Sequence, residues 1–153
     1  MVTAHFLDSS ALVKRYVNEA GSEWIQTVTT SGQPVLLARI SWVEVLSAFA
    51  RLQREGAWPA SASATALRAF QYDWDTQYQV VELDQTVTQL AGQLVQRHPL
   101  RAYDSVQLAS ALKLQPTITQ TTGANLVFVT ADDRLLKVAE SESLASDNPR
   151  AHP

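Results

Sequence analysis

Apolar residues collect in four short runs along the chain, and each run reads as a buried strand. They are Val2-Thr3-Ala4-His5-Phe6-Leu7, closed by Asp8; Val35-Leu36-Leu37-Ala38; Gln79-Val80-Val81-Glu82-Leu83; and Leu126-Val127-Phe128-Val129. Between them the apolar positions recur every three or four residues, the helical period. Trp42, Val45, Leu46, Phe49 and Leu52 mark one face of a helix that begins at Ser41 and stops at Gly56. Leu67, Phe70 and Trp74 give the Ala- and Ser-rich stretch from Ala60 to Asp75 the same period, and Asp84 is placed to cap a helix running to Arg97. Further helices are predicted from Ser9 to Tyr16 with Ser9 or Ser10 as cap, after Gly21 with Ser22 as cap, from Tyr103 to Leu114, and from Asp133 to Glu140. Pro116 to Asn125 reads as a Thr-rich loop, and Ser141 to Pro153 as a weak edge strand or a disordered tail.

Short apolar strands alternating with one or two helices predict an α/β protein. The expected form is a three-layer α/β/α sandwich around a parallel sheet of four or five short strands. Residues 1–150 are expected to form one domain, with 151–153 as a tail. At 153 residues the chain is long enough to fold on its own core. It has no cysteine, which removes disulfides, zinc ribbons, iron–sulfur clusters and a thiol nucleophile. Its 12 Lys and Arg against 15 Asp and Glu leave a net charge of −3, unlike a protein that holds nucleic acid by a broad basic face. No apolar run is long enough to span a bilayer, and the first residues lack a signal-peptide pattern, so a cytoplasmic protein is expected.

In open α/β sheets the working site lies beyond the carboxyl ends of the strands. Asp8 closes the first strand and Asp132 follows the fourth, while Glu44 and Asp104 fall in first helical turns on the same side. Each has a local explanation. Asp8 can cap the helix after it, Glu44 follows Ser41 at capping-box spacing, Asp104 suits the positive end of a helix dipole, and Asp132 can lie in a surface turn capped by Asp133. Asp104, however, shares a helix face with Leu108, Ala111 and Leu112, which points it inward. Four acids on one rim, read with no Lys or Arg neighbour as counter-charge, would raise one another's pKa values and call for a cation. Hard divalent ions such as Mg²⁺ or Mn²⁺ favour an all-oxygen site and suit phosphodiester hydrolysis. His5, His98 and His152 have no ligand spacing and are expected to be structural or solvent-facing.

The segments Phe6-Leu7-Asp8-Ser9-Ser10-Ala11-Leu12-Val13-Lys14, Ser41-Trp42-Val43-Glu44-Val45, Arg101-Ala102-Tyr103-Asp104-Ser105-Val106-Gln107-Leu108-Ala109 and Phe128-Val129-Thr130-Ala131-Asp132-Asp133-Arg134 occur in the order found in PIN-domain nucleases. Within that family the chain resembles the VapC-type ribonuclease toxins of toxin–antitoxin pairs; Asn148-Pro149 is similar to the family's ending. The resemblance implies that Asp8, Glu44, Asp104 and Asp132 are the catalytic acids and metal ligands, for Mg²⁺ or Mn²⁺. Asp8 and Asp104 would be direct ligands, and Ser10, Thr130 and Asp133 would support them. It further implies an RNA substrate, a cognate antitoxin and a homodimer. The doubled Asp132-Asp133 leaves the fourth acid uncertain by one residue.

Lys14 and Arg15 are candidates to guide the RNA backbone, with Arg39, Arg51 and Arg54 as further cations. Among Trp24, Trp42, Trp58 and Trp74, Trp58 is the expected exposed stacking residue. Two other functions fit less well. A non-cleaving PIN-like subunit would bind RNA or a partner through the same fold. An aspartate-based phosphotransfer domain also places an acid after its first strand, but Asp8-Ser9-Ser10 lacks the second acid of a phosphatase motif and Thr130-Ala131 is followed by no Lys.

Overall fold

The computed structural model describes residues 2–153. Five parallel strands form one sheet: β1 (Thr3–Leu7), β2 (Val35–Ala38), β3 (Gln79–Val81), β4 (Asn125–Val129) and β5 (Ser146–Asp147). Their spatial order is β3-β2-β1-β4-β5, with Phe6 opposite both Leu36 and Phe128. The order therefore reverses at β1, and the crevice of the fold opens where β1 and β4 end side by side.

Among the described residues, seven α-helices complete the layers: α1 (Ser9–Leu12), α2 (Ser22–Thr30), α3 (Ser41–Arg54), α4 (Ala60–Thr76), α5 (Gln85–Arg97), α6 (Ala102–Thr122) and α7 (Asp133–Ser141). Alternation along the strands builds two cores. Ala4 and Phe6 of β1 face Leu94, Leu108 and Leu135 from α5, α6 and α7. Leu7 of the same strand faces Ile25, Val45, Phe49 and Phe70 from α2, α3 and α4. The expected three-layer sandwich is thus observed, with a short fifth strand.

Four local expectations are corrected. Residues 116–122 are the last turns of α6, which contains Pro116 and ends at Gly123 in the left-handed conformation. The threonines there satisfy their hydroxyls on the helix itself: Thr121 donates to Thr117 O and Thr122 to Ile118 O, both at 2.6 Å. The predicted helix from Ser9 to Tyr16 is four residues of α-helix followed by a 3-10 turn, Val13–Arg15. Its cap is Asp8, not Ser9 or Ser10. The cap position before α2 is Gly21, while Ser22 instead donates to Val17 O and accepts from Glu19 N.

The C-terminal residues are packed against the body. Leu144 is buried, Asn148 caps a closing 3-10 turn, Pro149–Ala151, and His152 stacks on Trp24 with ring centroids 4.2 Å apart. Residues 151–153 thus include a packed side chain where a tail is expected.

Candidate metal and nuclease site

Asp8 follows β1 directly, and its backbone N–H still bonds Val129 O of β4. Asp8 is 3% exposed, and both of its carboxylate oxygens accept hydrogen bonds. Oδ1 accepts from Ser10 Oγ at 2.7 Å and from Ala11 N at 3.0 Å, and Oδ2 accepts from Thr130 Oγ1 at 2.5 Å. Burial pushes the Asp8 carboxyl up to about 6, against the opposing pull of the Thr130 and Ser10 hydroxyls and the Ala11 N–H; Asp104 adds a small upward push.

The same two hydroxyls tie Asp8 to the loop after β4. Ser10 Oγ accepts from Ala131 N at 2.9 Å, and Thr130 Oγ1 accepts from Asp132 N at 3.1 Å. That loop delivers Asp132, whose Oδ1 caps α7 by accepting from Arg134 N and Leu135 N. Capping uses one oxygen and leaves Oδ2 toward the crevice, where Arg101 Nη2 lies 3.6 Å away.

Glu44 sits in the first turn of α3 but forms no capping box. The position before the helix is Ile40, and Ser41 Oγ instead accepts from Gln107 Nε2 at 3.0 Å. The same Nε2 donates to Glu44 Oε1 at 2.8 Å. Burial raises the Glu44 carboxyl above its ordinary range, opposed by its bonds to Gln107 and Ser9. Asp104, in the first turn of α6, accepts from Arg101 Nε at 3.1 Å.

Asp8, Glu44, Asp104 and Asp132 therefore line one pocket of about 330 Å³, with Arg51, Arg101 and the 65% exposed Tyr103 at its edge. As placed, each acid is drawn to its own partner. Among the described residues no three His, Asp or Glu side chains form a ready-made cage around one ion.

Residues 5–141 match the PIN domain family. The chain belongs to it. It is 36% identical over 107 residues to Ribonuclease VapC45 and to Ribonuclease VapC49, from two strains of Mycobacterium tuberculosis, covering 70% of this chain and 74% of each relative. Solved structures share the fold at lower identity. PAE2754 from Pyrobaculum aerophilum has a TM-score of 0.65 at 16% identity, over 99% of this chain and 93% of that one. VapBC2 from Rickettsia felis, bound to a promoter DNA fragment, has a TM-score of 0.63 at 12% identity, over 95% and 98%. FitAB bound to a DNA fragment has a TM-score of 0.67 at 15% identity, over 95% of each chain.

Of the other candidate residues of this PIN domain, Ser10 and Arg51 line the pocket, while Asp133, Lys14, Arg15, Arg39 and Arg54 do not. Asp133 is not among its lining residues; Asp133 accepts from Asn148 Nδ2 at 2.8 Å and so anchors the C-terminal segment. Lys14 is buried and paired with Glu19 at 3.0 Å. Arg15 is turned into the second core, where it donates to Asp73 Oδ2 at 3.2 Å and Thr29 Oγ1 at 2.6 Å. Neither cation is free to guide a phosphate backbone at the acids. Arg39 pairs with Glu82, Arg54 does not line the pocket, and Arg51 does. Trp58 packs against Phe49 at 5.5 Å, and Trp42 stacks on Phe70 at 5.1 Å, so Trp58 is not the freely exposed ring expected.

Two residues of the site escaped the sequence reading. Arg101 contradicts the expectation of acids without a cationic neighbour, although its spacing of three from Asp104 is an ion-pair signal on a helix. Gln107 lies on the same inward face as Asp104 and Ala111, and a polar residue in an apolar stripe signals a buried partner.

Proposed function

We propose that this PIN domain is a divalent-metal-dependent endoribonuclease, the toxin half of a toxin–antitoxin pair, acting through Asp8, Glu44, Asp104 and Asp132. The observation that carries this reading is the meeting of four carboxylates, from four separate parts of the chain, in one pocket at the β1/β4 switch point. The identity to two VapC ribonucleases supports RNA as the substrate. Two of the structural neighbours are antitoxin-bearing assemblies by name, VapBC2 and a Klebsiella pneumoniae toxin–antitoxin complex, which favours a cognate antitoxin as partner.

PIN-domain ribonucleases in general use divalent metal ions, and the donor set here fits one. The lining acids are carboxylates without sulfur or imidazole, the donors that Mg²⁺ and Mn²⁺ prefer. A cationic group, the Arg101 guanidinium, already stands between two of them. Asp8 and Asp104 would hold the ion directly, with Glu44 and Asp132 completing its shell directly or through water. Once bound, such an ion makes hydroxide accessible near neutral pH and offsets charge on the departing oxygen.

The chain's own residues do the rest. Ser10 and Thr130 fix both Asp8 oxygens, and Gln107 fixes Glu44. Glu44, held above the usual carboxylate range by burial, would receive the proton released as water oxygen bonds to phosphorus, while the P–O bond to the departing ribose oxygen breaks and that oxygen takes a proton from solvent. The reading extends to a cytoplasmic homodimer, which sedimentation of the purified chain would reveal as twice the monomer mass.

Incubation with total RNA, with and without Mn²⁺, tests the function. Fragments are expected only with metal, and neither in excess EDTA nor with Asp104→Asn. RNA that binds but stays intact with Mn²⁺ would replace this reading by that of a non-cleaving subunit. Cleavage that survives EDTA would remove the metal from it.

A further inference from the structure

Arg101 stands at the mouth of the acid pocket without a part in the reaction above. It occupies the N-cap position of α6 with an extended backbone, φ −71° and ψ 154°, so its side chain springs from a fixed point three residues before Asp104. The side chain is 81% exposed. Its Nε donates to Asp104 Oδ2 at 3.1 Å, and its Nη2 lies 3.6 Å from Asp132 Oδ2. One guanidinium thus bridges acids carried by two different helices.

The bridge has no structural duty that would hold it there. It closes no helix end, since α6 has no side-chain cap and α7 is capped by Asp132 itself. Ion pairs this exposed are weak and screened by solvent. The local charge explains the position instead: four acids face two guanidiniums, Arg51 and Arg101, so the pocket lining carries a formal charge of −2. The same carboxylate oxygens that hold Arg101 belong to two of the four acids expected to hold a divalent ion. Guanidinium and ion therefore compete for them. A guanidinium released from two carboxylates keeps its planar fork of donors, the geometry that grips a phosphate.

We propose that Arg101 is a tethered counter-ion, which fills the gap between Asp104 and Asp132 until a divalent cation displaces it and which then binds an RNA phosphate at the pocket mouth. This rests on the metal-dependent ribonuclease reading. It makes Arg101 a positioning residue that exchanges one anionic partner for another as the site loads. The pocket avoids bare repulsion before the metal arrives and gains a phosphate clamp afterwards.

Isothermal titration of the purified chain with MnCl₂ alone tests the first half. Arg101→Gln removes the competitor and is expected to bind Mn²⁺ about two- to fivefold more tightly, the range that weak exposed pairs allow. Arg101→Lys keeps a charge and is expected to fall between the two. Equal or weaker binding by Arg101→Gln overturns the proposal. Thermal melts in EDTA show whether each variant is folded, and Arg101→Ala serves should Arg101→Gln fail that control.

The second half is read from steady-state cleavage at saturating Mn²⁺. The KM for RNA is expected to rise severalfold in Arg101→Gln with kcat within about twofold, and Arg101→Lys to recover part of the loss. An unchanged KM overturns the phosphate step. If the wild-type chain neither binds Mn²⁺ nor cleaves RNA, the ribonuclease reading fails together with the inference. If the wild type does both and Arg101→Gln matches it in both, the inference alone fails.

Discussion

Asp8 combines two roles that a sequence reading treats as alternatives: Oδ1 caps α1, and the whole carboxylate lies at the floor of the acid pocket. The cost of that placement is electrostatic. With a folded-state pKa of about 6 against an unfolded value of about 3.9, native Asp8 keeps a proton that the unfolded chain has already released. Its contribution to stability is therefore complete below about pH 4 and is lost as the pH rises through about 6. Glu44, raised in the same direction, adds to the trend. In metal-free protein, Asp8→Asn is expected to be more stable than wild type at pH 7.5, by up to about 3 kcal/mol. The gap should close toward pH 4, and RNA cleavage should be lost. Urea unfolding in EDTA across that pH range checks this; a variant less stable throughout would show that the cap outweighs the buried charge. The four acids were legible because strand ends and first helical turns can be placed from pattern alone. Their partners were less so. Gln107 meets Ser41 and Glu44 across 66 and 63 positions of sequence, and no local spacing encodes such a pairing.

At the scale of elements, strands were read from apolar runs and long helices from periodicity, and both signals are produced by burial. The end of α6 failed to show because burial is not what extends it. From Thr117 to Gly123 only Ile118 packs on the core, and Pro116 and the threonines argue locally for a break. Their hydroxyls bond back to carbonyls four residues earlier, so these polar groups are satisfied within the helix instead of diverting its backbone. Proline in a helix interior removes one hydrogen bond and crowds the preceding turn, at about 3 kcal/mol relative to Ala. Pro116→Ala is accordingly expected to raise the melting temperature; a lower one would mean that the packing of Ile118 depends on the proline. The capping box expected at Ser41 and Glu44 fails for the opposite reason. Tertiary partners on α6 draw both side chains away from the helix end.

Across the whole molecule, strand order decides where the acids meet, because β1 lies between β2 and β4 and its end abuts that of β4. An ion held only by the folded chain shifts the unfolding equilibrium, so Mn²⁺ at about a hundred times its dissociation constant should add roughly 2.7 kcal/mol. Differential scanning calorimetry with Mn²⁺ and with EDTA measures the difference; no shift would count against a metal site. Global packing also fixes the C-terminal segment. Gly21 has φ +90°, and a Cβ there would stand 2.6 Å from Pro149 O. Gly21→Ala is expected to cost about 1–3 kcal/mol by straining the turn and lifting the Pro149–Ala151 segment off α2. An unaltered melting temperature would show that this segment yields freely.

The contact between Asp8 and Thr130 joins positions 122 apart. During translation, the first strand emerges long before the stretch that completes its neighbourhood. A ribosome-bound fragment ending before Asn125 has β1 and β2 but lacks β4, Thr130 and Asp132. The acid pocket, and with it the capacity to cut RNA, is thus completed only in the final part of the chain's synthesis.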